Sequence, residues 1–211
     1  MGSGFSAVNS NWTVPTISCT AATSYSAHWI GIDGATSSTV EQDGTEANCS
    51  GGAPSYDAWY EMYGDNAVNN GYEVELAPSS YPVYPGDAMT ASVSVANNVW
   101  TLAVSDAGSA ANAHNWQFST AINYSGAAQT SAEWVVERPE ICYIIFDCSL
   151  TTLANFGSVT FTNSTATENS STGPISAAAS YAAIEMMDGS TPVAVPSSLD
   201  PTGTIFTDTY Q

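Results

Sequence analysis

Alternation of apolar and polar residues with a period of two most constrains what this chain can fold into. Every second residue is apolar in residues 89–95, and residues 116–124 alternate in the same way. Successive side chains of a strand point to opposite faces, so such segments can bury one face and expose the other. Turn residues such as Asn97 and Asn98 separate the segments, and no segment carries a convincing helical stripe. The pattern predicts an all-β protein, either a sandwich or a jelly roll.

Further short strands are predicted at residues 99–105, 158–162, 183–187 and 204–209. The chain has 211 residues, of which 44% are hydrophobic, enough to bury one substantial core. We therefore expect a single domain over residues 1–211. Residues 1–10 are predicted to be an N-terminal lead-in, and the Ser/Thr/Ala-rich residues 163–180 a long surface loop.

The charge balance is extreme. Arg138 is the only basic residue besides two histidines, there is no lysine, and the formal net charge is -19 at pH 7. Nucleic acids and anionic membranes are therefore excluded as partners, because both require Lys/Arg footprints. Near pH 2 to 3 most carboxyls are neutral, which leaves at most about four positive charges and little of the self-repulsion that unfolds proteins in acid. A halophile-like surface is the alternative, but only 10% of the residues are charged, which favours a secreted protein adapted to acid.

The cysteine pattern indicates disulfides rather than a metal site. Cys19, Cys49, Cys142 and Cys148 allow three connectivities, of which we expect Cys19–Cys49 and Cys142–Cys148. There is no CxxC pair and the two histidines are far apart, so we expect neither a metal nor another cofactor. Disulfides favour an oxidising, extracellular location. No apolar run is long enough for a membrane span, and a monomer is the default expectation.

Two strands present unusual polar faces. In residues 56–63 the face carrying Tyr56 and Met62 suits a core, whereas the other carries Asp57, Trp59, Glu61 and Tyr63. A carboxylate between two large aromatic residues suits a substrate cleft, although a solvated face is the alternative.

In residues 132–138, Glu133 and Glu137 share one face, opposite Arg138. Two carboxylates four residues apart on one strand are too distant to react as a pair, so at most one lies at the chemistry, and Arg138 would serve a neighbouring acid.

Several catalytic classes are excluded by absent motifs. There is no GxSxG elbow for a serine nucleophile, no pair of Asp-Thr-Gly loops, no HExxH, no P-loop and no EF-hand loop. Carboxylate chemistry remains, either as a glycosidase pair or as a carboxylate with a neutral polar partner.

Six motifs in order resemble those of the glutamic peptidases, or eqolisins. They are residues 11–15 (NWTVP), 28–34 (HWIGIDG), 41–44 (EQDG), 56–63 (YDAWYEMY), 131–137 (SAEWVVE) and 153–161 (LANFGSVTF). Each motif is weak alone, but six in the right order are specific, and the similarity extends over residues 11 to 187. The resemblance implies a concanavalin-like sandwich of two packed antiparallel sheets, secretion as a proenzyme, and a metal-independent endopeptidase active in acid and insensitive to pepstatin.

The resemblance also implies a catalytic dyad. The glutamine of the family falls on Gln42 and the glutamate on Glu133. The remaining matched positions are the cleft residues Trp29, Trp59, Glu61 and Tyr63 and the supporting residues Asp33, Asp43, Glu46 and Glu137. Glu137 shares a face with Glu133, which the Ala-Glu-Trp string favours as the reactive residue.

A mechanistic hypothesis follows. Ionised Glu133 would take a proton from a water that attacks the scissile carbonyl, and the Gln42 amide would stabilise the oxyanion. The rivals are a glycoside hydrolase that uses Glu61 and Glu133, and a lectin-like module that uses Trp29, Trp59 and Tyr63 as stacking platforms. A purely structural role is a third alternative, in which Gln42 and Glu133 have no purpose.

Overall fold

The structure is a computed structural model that describes residues 4–65, 68–142 and 148–211, with Cys142 described by its backbone. The strands in these ranges are β1 (Phe5–Thr13), β2 (Ser24–Asp33), β3 (Val40–Ser50), β4 (Ala53–Tyr63), β5 (Val74–Glu75), β6 (Ala88–Ala96), β7 (Val99–Asp106), β8 (Trp116–Asn123), β9 (Ala132–Glu137), β10 (Glu140–Cys142), β11 (Cys148–Leu150), β12 (Ser158–Glu168), β13 (Ser171–Pro174), β14 (Met186–Asp188), β15 (Thr191–Pro196) and β16 (Phe206–Tyr210). Short 3-10 turns lie at Asn69–Gly71 and Ile175–Ala177. No helix in these ranges is long and apolar enough to cross a membrane.

The strands form two packed antiparallel sheets, which confirms the predicted fold class. The larger sheet has the order β14-β15-β16-β12-β1-β6-β7-β8, with β13 paired to β12. The smaller has the order β5-β4-β3-β2-β9, and β10 pairs with β11 in a separate hairpin. Every pairing within the two sheets is antiparallel.

The core lies between the sheets, and both contribute to it. Fully buried side chains include Val8, Ile30, Ile32, Met62, Met89, Trp100, Leu102, Phe156 and Phe161. The predicted alternation of β6 is confirmed, since Met89, Ala91 and Val93 are buried while Thr90 is exposed. Asn97 and Asn98 adopt positive φ angles of 52° and 62° in the turn to β7. Asparagine tolerates this conformation better than most residues, as the hairpin prediction required.

Residues 1–10 were predicted to be a lead-in, but β1 begins at Phe5 and lies between β12 and β6 in the larger sheet. The apolar alternation of β1 is interrupted at Ser10, which is buried and bonds to Ser164 Oγ at 2.8 Å. A serine at an inward position weakens the hydrophobic signal of a strand, although its hydroxyl is satisfied.

Residues 163–180 were predicted to be a surface loop, but they contain the end of β12, all of β13 and a 3-10 turn. The hydroxyls of Thr167 and Thr172 form a hydrogen bond across these two strands at 2.7 Å. Threonine is a good strand former, so a Ser/Thr-rich composition does not by itself indicate a loop.

The predicted strand at residues 183–187 is displaced, because β14 begins at Met186 and Ile184 is 78% exposed. In this segment the apolar pattern corresponds to no buried face.

The predicted disulfide between Cys19 and Cys49 is confirmed, with the two Cα atoms 5.5 Å apart. The β10–β11 register places Cys142 opposite Cys148, but the side chain of Cys142 is outside the described residues, so that pairing stays a prediction. Arg138 follows β9 directly, and its guanidinium lies 3.7 Å from the carboxylate of Asp188. This ion pair links the end of β9 to β14.

Candidate active site

The two faces of the smaller sheet differ in what they meet. On β3, Thr45 accepts a hydrogen bond from the indole Nε1 of Trp12 in β1 at 3.1 Å, so the face that carries Thr45 is turned towards the larger sheet. Side chains alternate along a strand, which puts Gln42 and Glu46 on the opposite side. We call that side the outer face.

Four cross-strand neighbours form one row on the outer face. Gln42 pairs with Glu61 of β4 on one side and with Gly31 of β2 on the other, and Gly31 pairs in turn with Glu133 of β9. Residues directly opposite one another in a sheet share a face. The row therefore reads Glu61, Gln42, Gly31, Glu133, and we call it the Gly31 row.

Gly31 leaves the space between the two residues predicted to be catalytic. A Cβ atom at this position would lie 3.1 Å from the Gln42 Cβ, the Glu41 carbonyl oxygen and the Trp29 ring. Neighbouring strands lie about 4.8 Å apart, so the Cα atoms of Gln42 and Glu133 are separated by about 10 Å across Gly31. Their side chains flank a gap that has no side chain of its own.

Gln42 is held from the far side of this gap. Its amide Nε2 donates a hydrogen bond to Glu61 Oε2, and the residue is only 7% exposed. Its carbonyl oxygen Oε1 is buried and has no hydrogen-bond partner among the described residues. A buried acceptor of this kind is costly unless a bound group donates to it, so the Oε1 atom is a candidate acceptor for a bound water or ligand.

Glu133 has its own set of contacts. Ser131 donates its hydroxyl to Glu133 Oε1 at 2.9 Å, and a Cβ atom at Gly34 would lie 3.3 Å from Glu133 Oε2. Burial raises the pKa of Glu133 above its ordinary value, the hydrogen bonds from Ser131 and the Ala35 backbone oppose the rise, and the nearby charge of Asp33 adds to it. The carboxyl group is thus shifted towards its neutral form in the free protein.

The next row along the sheet is aromatic. Trp29 lies opposite Gly44, and Gly44 lies opposite Trp59, so a glycine again separates two large side chains. Trp29 donates its Nε1 to Glu137 Oε2 at 2.8 Å. Trp29 and Trp59 are 6% and 2% exposed, and they pack in a cluster with Ala27.

Asp33, which was predicted to support the site, is the last residue of β2. Its carboxylate accepts the backbone N–H groups of Ala128, Gln129 and Thr130 at 2.7 to 2.9 Å, and also the hydroxyl of Thr130 at 2.9 Å. Asp33 therefore fixes the segment that leads into β9 and so to Glu133. Its own backbone has a φ of 73°, a conformation that aspartate tolerates better than most residues.

The other predicted site residues fall in different places. Glu46 is on the outer face in a third row, between Ala27 and Asp57, with Glu137 beyond Ala27. Tyr63 ends β4 and is 52% exposed. Asp43, by contrast, lies on the inner face, is fully buried and does not join the Gly31 row.

The outer face is acidic and its carboxyl groups resist ionisation. Burial is the main cause in every case, and it raises the pKa of Glu61 and of Asp57 to about 7. Burial and the neighbouring carboxyls also raise the pKa of Glu73, which is hydrogen-bonded to Glu46. Burial raises the pKa of Glu137 as well. In acid these groups are neutral, so the face loses its negative charge and its mutual repulsion together.

Within the described ranges, one group of side chains has the composition of a metal site. It consists of Asp87, Asp106 and His114, away from the outer face. The imidazole Nε2 of His114 lies 2.8 Å from Asp106 and 3.3 Å from Asp87. Burial lowers the pKa of His114, but the hydrogen bond and charge of Asp106 outweigh it and raise the pKa. An imidazolium between two aspartates accounts for this group.

Some residues of the site were missed by sequence reasoning. Gly31 could have been found from alternation alone, because it separates Trp29 from Asp33 on one face. Ser131 stands two positions before Glu133, a spacing that also indicated a shared face. Glu73 precedes the two-residue strand β5, and nothing in its local sequence indicated that it reaches Glu46.

The fold and this arrangement define a β-sandwich whose outer face carries a buried amide and a half-buried carboxyl on either side of a glycine. The chain matches the model of the Peptidase A4 family over residues 1–206 and belongs to that family, which confirms the resemblance to the eqolisins.

A curated relative supports this family assignment. Aspergillopepsin-2 from Aspergillus niger is 31% identical over 202 residues, an alignment that covers 82% of this chain and 64% of that protein. The chain therefore spans slightly less than two thirds of the length of this relative.

Two solved structures share the fold. The crystal structure of aspergilloglutamic peptidase from Aspergillus niger has a TM-score of 0.69 at 28% identity and covers 89% of this chain and 99% of its own. Scytalido-glutamic peptidase, solved with a peptide-based transition state analogue, has a TM-score of 0.78 at 23% identity and covers 100% and 95%.

Proposed function

We propose that this protein is a secreted acid endopeptidase that hydrolyses peptide bonds with Glu133 as general base and Gln42 as oxyanion donor. The observation that carries the proposal is the Gly31 row. It puts an amide and a carboxyl on either side of a gap, with the Gln42 Oε1 atom buried and unpaired among the described residues. Membership of a peptidase family supports the reaction class.

The chemistry needs only these two groups and a water. Ionised Glu133 takes a proton from the water, whose oxygen attacks the scissile carbonyl carbon. The free N–H of Gln42 donates to the oxyanion while its Oε1 accepts from the attacking water. Glu133, now protonated, transfers its proton to the leaving nitrogen. A neutral amide suits this role, because its donor persists at every pH at which the protein is folded.

Glu133 is preferred to Glu137 on geometry. Glu133 lies in the same row as Gln42, whereas Glu137 lies opposite Ala27 and accepts the Trp29 indole. Glu137 supports the site through Trp29, and Asp33 supports it through the segment before β9.

The rival functions are less well supported. A glycosidase pair of Glu61 and Glu133 would have the Gln42 amide between its members, and Glu61 already accepts a bond from that amide. A lectin needs exposed aromatic platforms, but Trp29 and Trp59 are buried. Tyr63 is exposed and suits contact with an extended polypeptide substrate.

The wider setting belongs to the same proposal. The Cys19–Cys49 disulfide and the scarcity of cations favour secretion into an acidic environment. The proposal also includes a propeptide that is present before maturation, a monomeric state, and activity that resists pepstatin and metal chelators.

The test is cleavage of a denatured protein substrate between pH 2 and 6 by wild type, Gln42→Ala and Glu133→Gln. Loss of one oxyanion donor typically lowers kcat by about 10²- to 10³-fold, and loss of the base should lower it at least as far. Circular dichroism verifies that each variant is folded, while pepstatin and EDTA exclude contaminating peptidases. Full activity in either folded variant would contradict the dyad, and a folded but inactive wild type would contradict the peptidase assignment.

A further inference from the structure

We propose that Glu61 is the positioning residue of Gln42: its carboxyl fixes which edge of the Gln42 amide faces the gap above Gly31. This inference rests on the proposed function and reassigns Glu61, which the sequence placed among the substrate-binding residues. It depends on the Gln42–Glu61 hydrogen bond and on the order of residues in the Gly31 row.

A primary amide can bind in two orientations related by a half-turn. One orientation presents an N–H and the other a carbonyl oxygen at the same place. An oxyanion site works in only one of them, so Gln42 needs a neighbour that distinguishes the two ends.

Glu61 is that neighbour. It lies directly opposite Gln42 on β4, on the side away from Gly31 and Glu133. In the observed contact an oxygen of Glu61 accepts from Nε2, and this bond holds the Gln42 amide in the orientation that the structure shows. The chosen orientation uses one N–H of Gln42 and leaves the second N–H, together with Oε1, for the substrate and the water.

The surroundings of Glu61 keep it neutral in acid. Burial raises its pKa to about 7 against the hydrogen bond from Gln42, and Glu137 of β9 and Glu46 of β3 add to the rise. Glu73, from the connection before β5, is close enough that the charge of Glu61 helps to raise its pKa. A neutral carboxyl still accepts from Nε2 through its carbonyl oxygen. An ionised one would place a negative charge one residue from the developing oxyanion and oppose it.

The acidic limb of kcat rises as Glu133 ionises, and the upper limb falls as Glu61 ionises near pH 7. Glu61→Gln replaces the carboxyl by a group that is always neutral and retains an acceptor oxygen. Glu61→Leu has a similar size but no acceptor.

The experiment measures kcat and KM of wild type, Glu61→Gln and Glu61→Leu from pH 3 to 8, wherever circular dichroism shows a folded protein. We expect Glu61→Leu to lose about 10- to 100-fold in kcat with little change in KM, since a small misplacement of a reacting group costs that much. We expect Glu61→Gln to remain within a few-fold of wild type in acid and to lose the descending limb near pH 7.

Asp57→Asn is the matched control. Asp57 lies on the same strand and face, and burial raises its pKa to about 7 as well, but Gln42 bonds to Glu61 and not to Asp57. This variant should keep the wild-type pH profile.

Three outcomes would overturn the proposal. They are an unchanged kcat in Glu61→Leu, an effect of Glu61→Leu confined to KM, and a descending limb that survives in Glu61→Gln. If Glu61→Leu does not fold, the pH profile of Glu61→Gln still decides. The proposed function fails separately, through an inactive wild type or through active Gln42 and Glu133 variants.

Discussion

At the scale of single residues, the candidate site depends on Gly31, which has no side chain to fill the gap. Gly31 lies between Gln42 and Glu133, and the Gln42 Cβ, the Glu41 carbonyl and the Trp29 ring are all 3.1 Å from where its Cβ would be. Of these neighbours, the Glu41 carbonyl is backbone and cannot move without disturbing β3.

Gly31→Ala should therefore yield a folded protein with kcat reduced by about 10- to 100-fold, because shifts of a few tenths of an ångström at Gln42 misalign the reacting groups. Steady-state kinetics at acid pH measures this. Gly173→Ala is the control, since Gly173 lies in β13 of the larger sheet and its added Cβ would lie 3.0 Å from Ala177 in the 3-10 turn that follows. Equal losses of activity in the two variants would show that the effect is not local to the row.

At the scale of elements, β9 is held in place from β2. Asp33, the last residue of β2, binds three consecutive backbone N–H groups of residues 128–130, and Ala132 begins β9. One carboxylate thus connects the end of one strand to the start of its neighbour.

Asp33→Asn removes the charge and one acceptor but keeps a residue that tolerates a positive φ. We expect it to lower the free energy of unfolding by about 1 to 3 kcal/mol and to lower kcat through displacement of Glu133. Denaturant unfolding and kinetics, both at one acid pH, measure the two effects.

Asp200→Asn is the control for this prediction. Asp200 accepts the N–H groups of Thr202, Thr204 and Ile205 in a turn of its own. Its loss should reduce stability without reducing kcat. A normal kcat in Asp33→Asn would remove Asp33 from the support of the site.

Much of this organisation was predictable from the sequence, and the failures have physical causes. Strands with apolar inner faces, such as β6, were found because burial imposes alternation. β1 was missed because its inner face includes Ser10, whose hydroxyl is satisfied by Ser164. The motif resemblance identified Gln42 and Glu61 separately, but their pairing depends on strand register, which no local pattern of residues contains.

At the scale of the whole molecule, the inner face of β3 carries carboxyl groups within the core. Glu41 and Asp43 are both fully buried. Burial and the nearby Asp33 raise the pKa of Glu41 to about 8, and burial raises that of Asp43 well above its usual value. The folded state binds these protons more tightly than the unfolded chain, so each group stabilises the fold below its unfolded pKa. That stabilisation is lost as the pH rises towards the folded pKa.

His28 acts in the opposite direction. Burial lowers its pKa to about 3, so the unfolded chain binds the proton more tightly between that value and the ordinary imidazole pKa. Stability therefore falls as the pH drops through this range. The several buried carboxyls outnumber this one imidazole, and we expect the net stability to fall from pH 5 to pH 8.

The variant Glu41→Gln measures how much the buried Glu41 carboxyl contributes to this pH dependence of stability. The amide is neutral at every pH, so the variant should match wild type within about 1 kcal/mol near pH 4 and exceed its free energy of unfolding by about 3 kcal/mol at pH 7. Urea unfolding at the two pH values measures this. Glu185→Gln, at an exposed position, should leave the pH dependence unchanged. A parallel pH dependence in Glu41→Gln and wild type would mean that Glu41 ionises freely in the fold.

Arg138, which forms the ion pair with Asp188, also determines how trypsin can act on this chain. Trypsin requires an accessible lysine or arginine and does not cut readily before proline. Arg138 is the only lysine or arginine among the 211 residues of the chain. Its side chain is only 14% exposed in the folded protein, and the next residue is Pro139. Digestion with trypsin should therefore leave the chain in one piece even after unfolding, so any fragments in a preparation report a different protease.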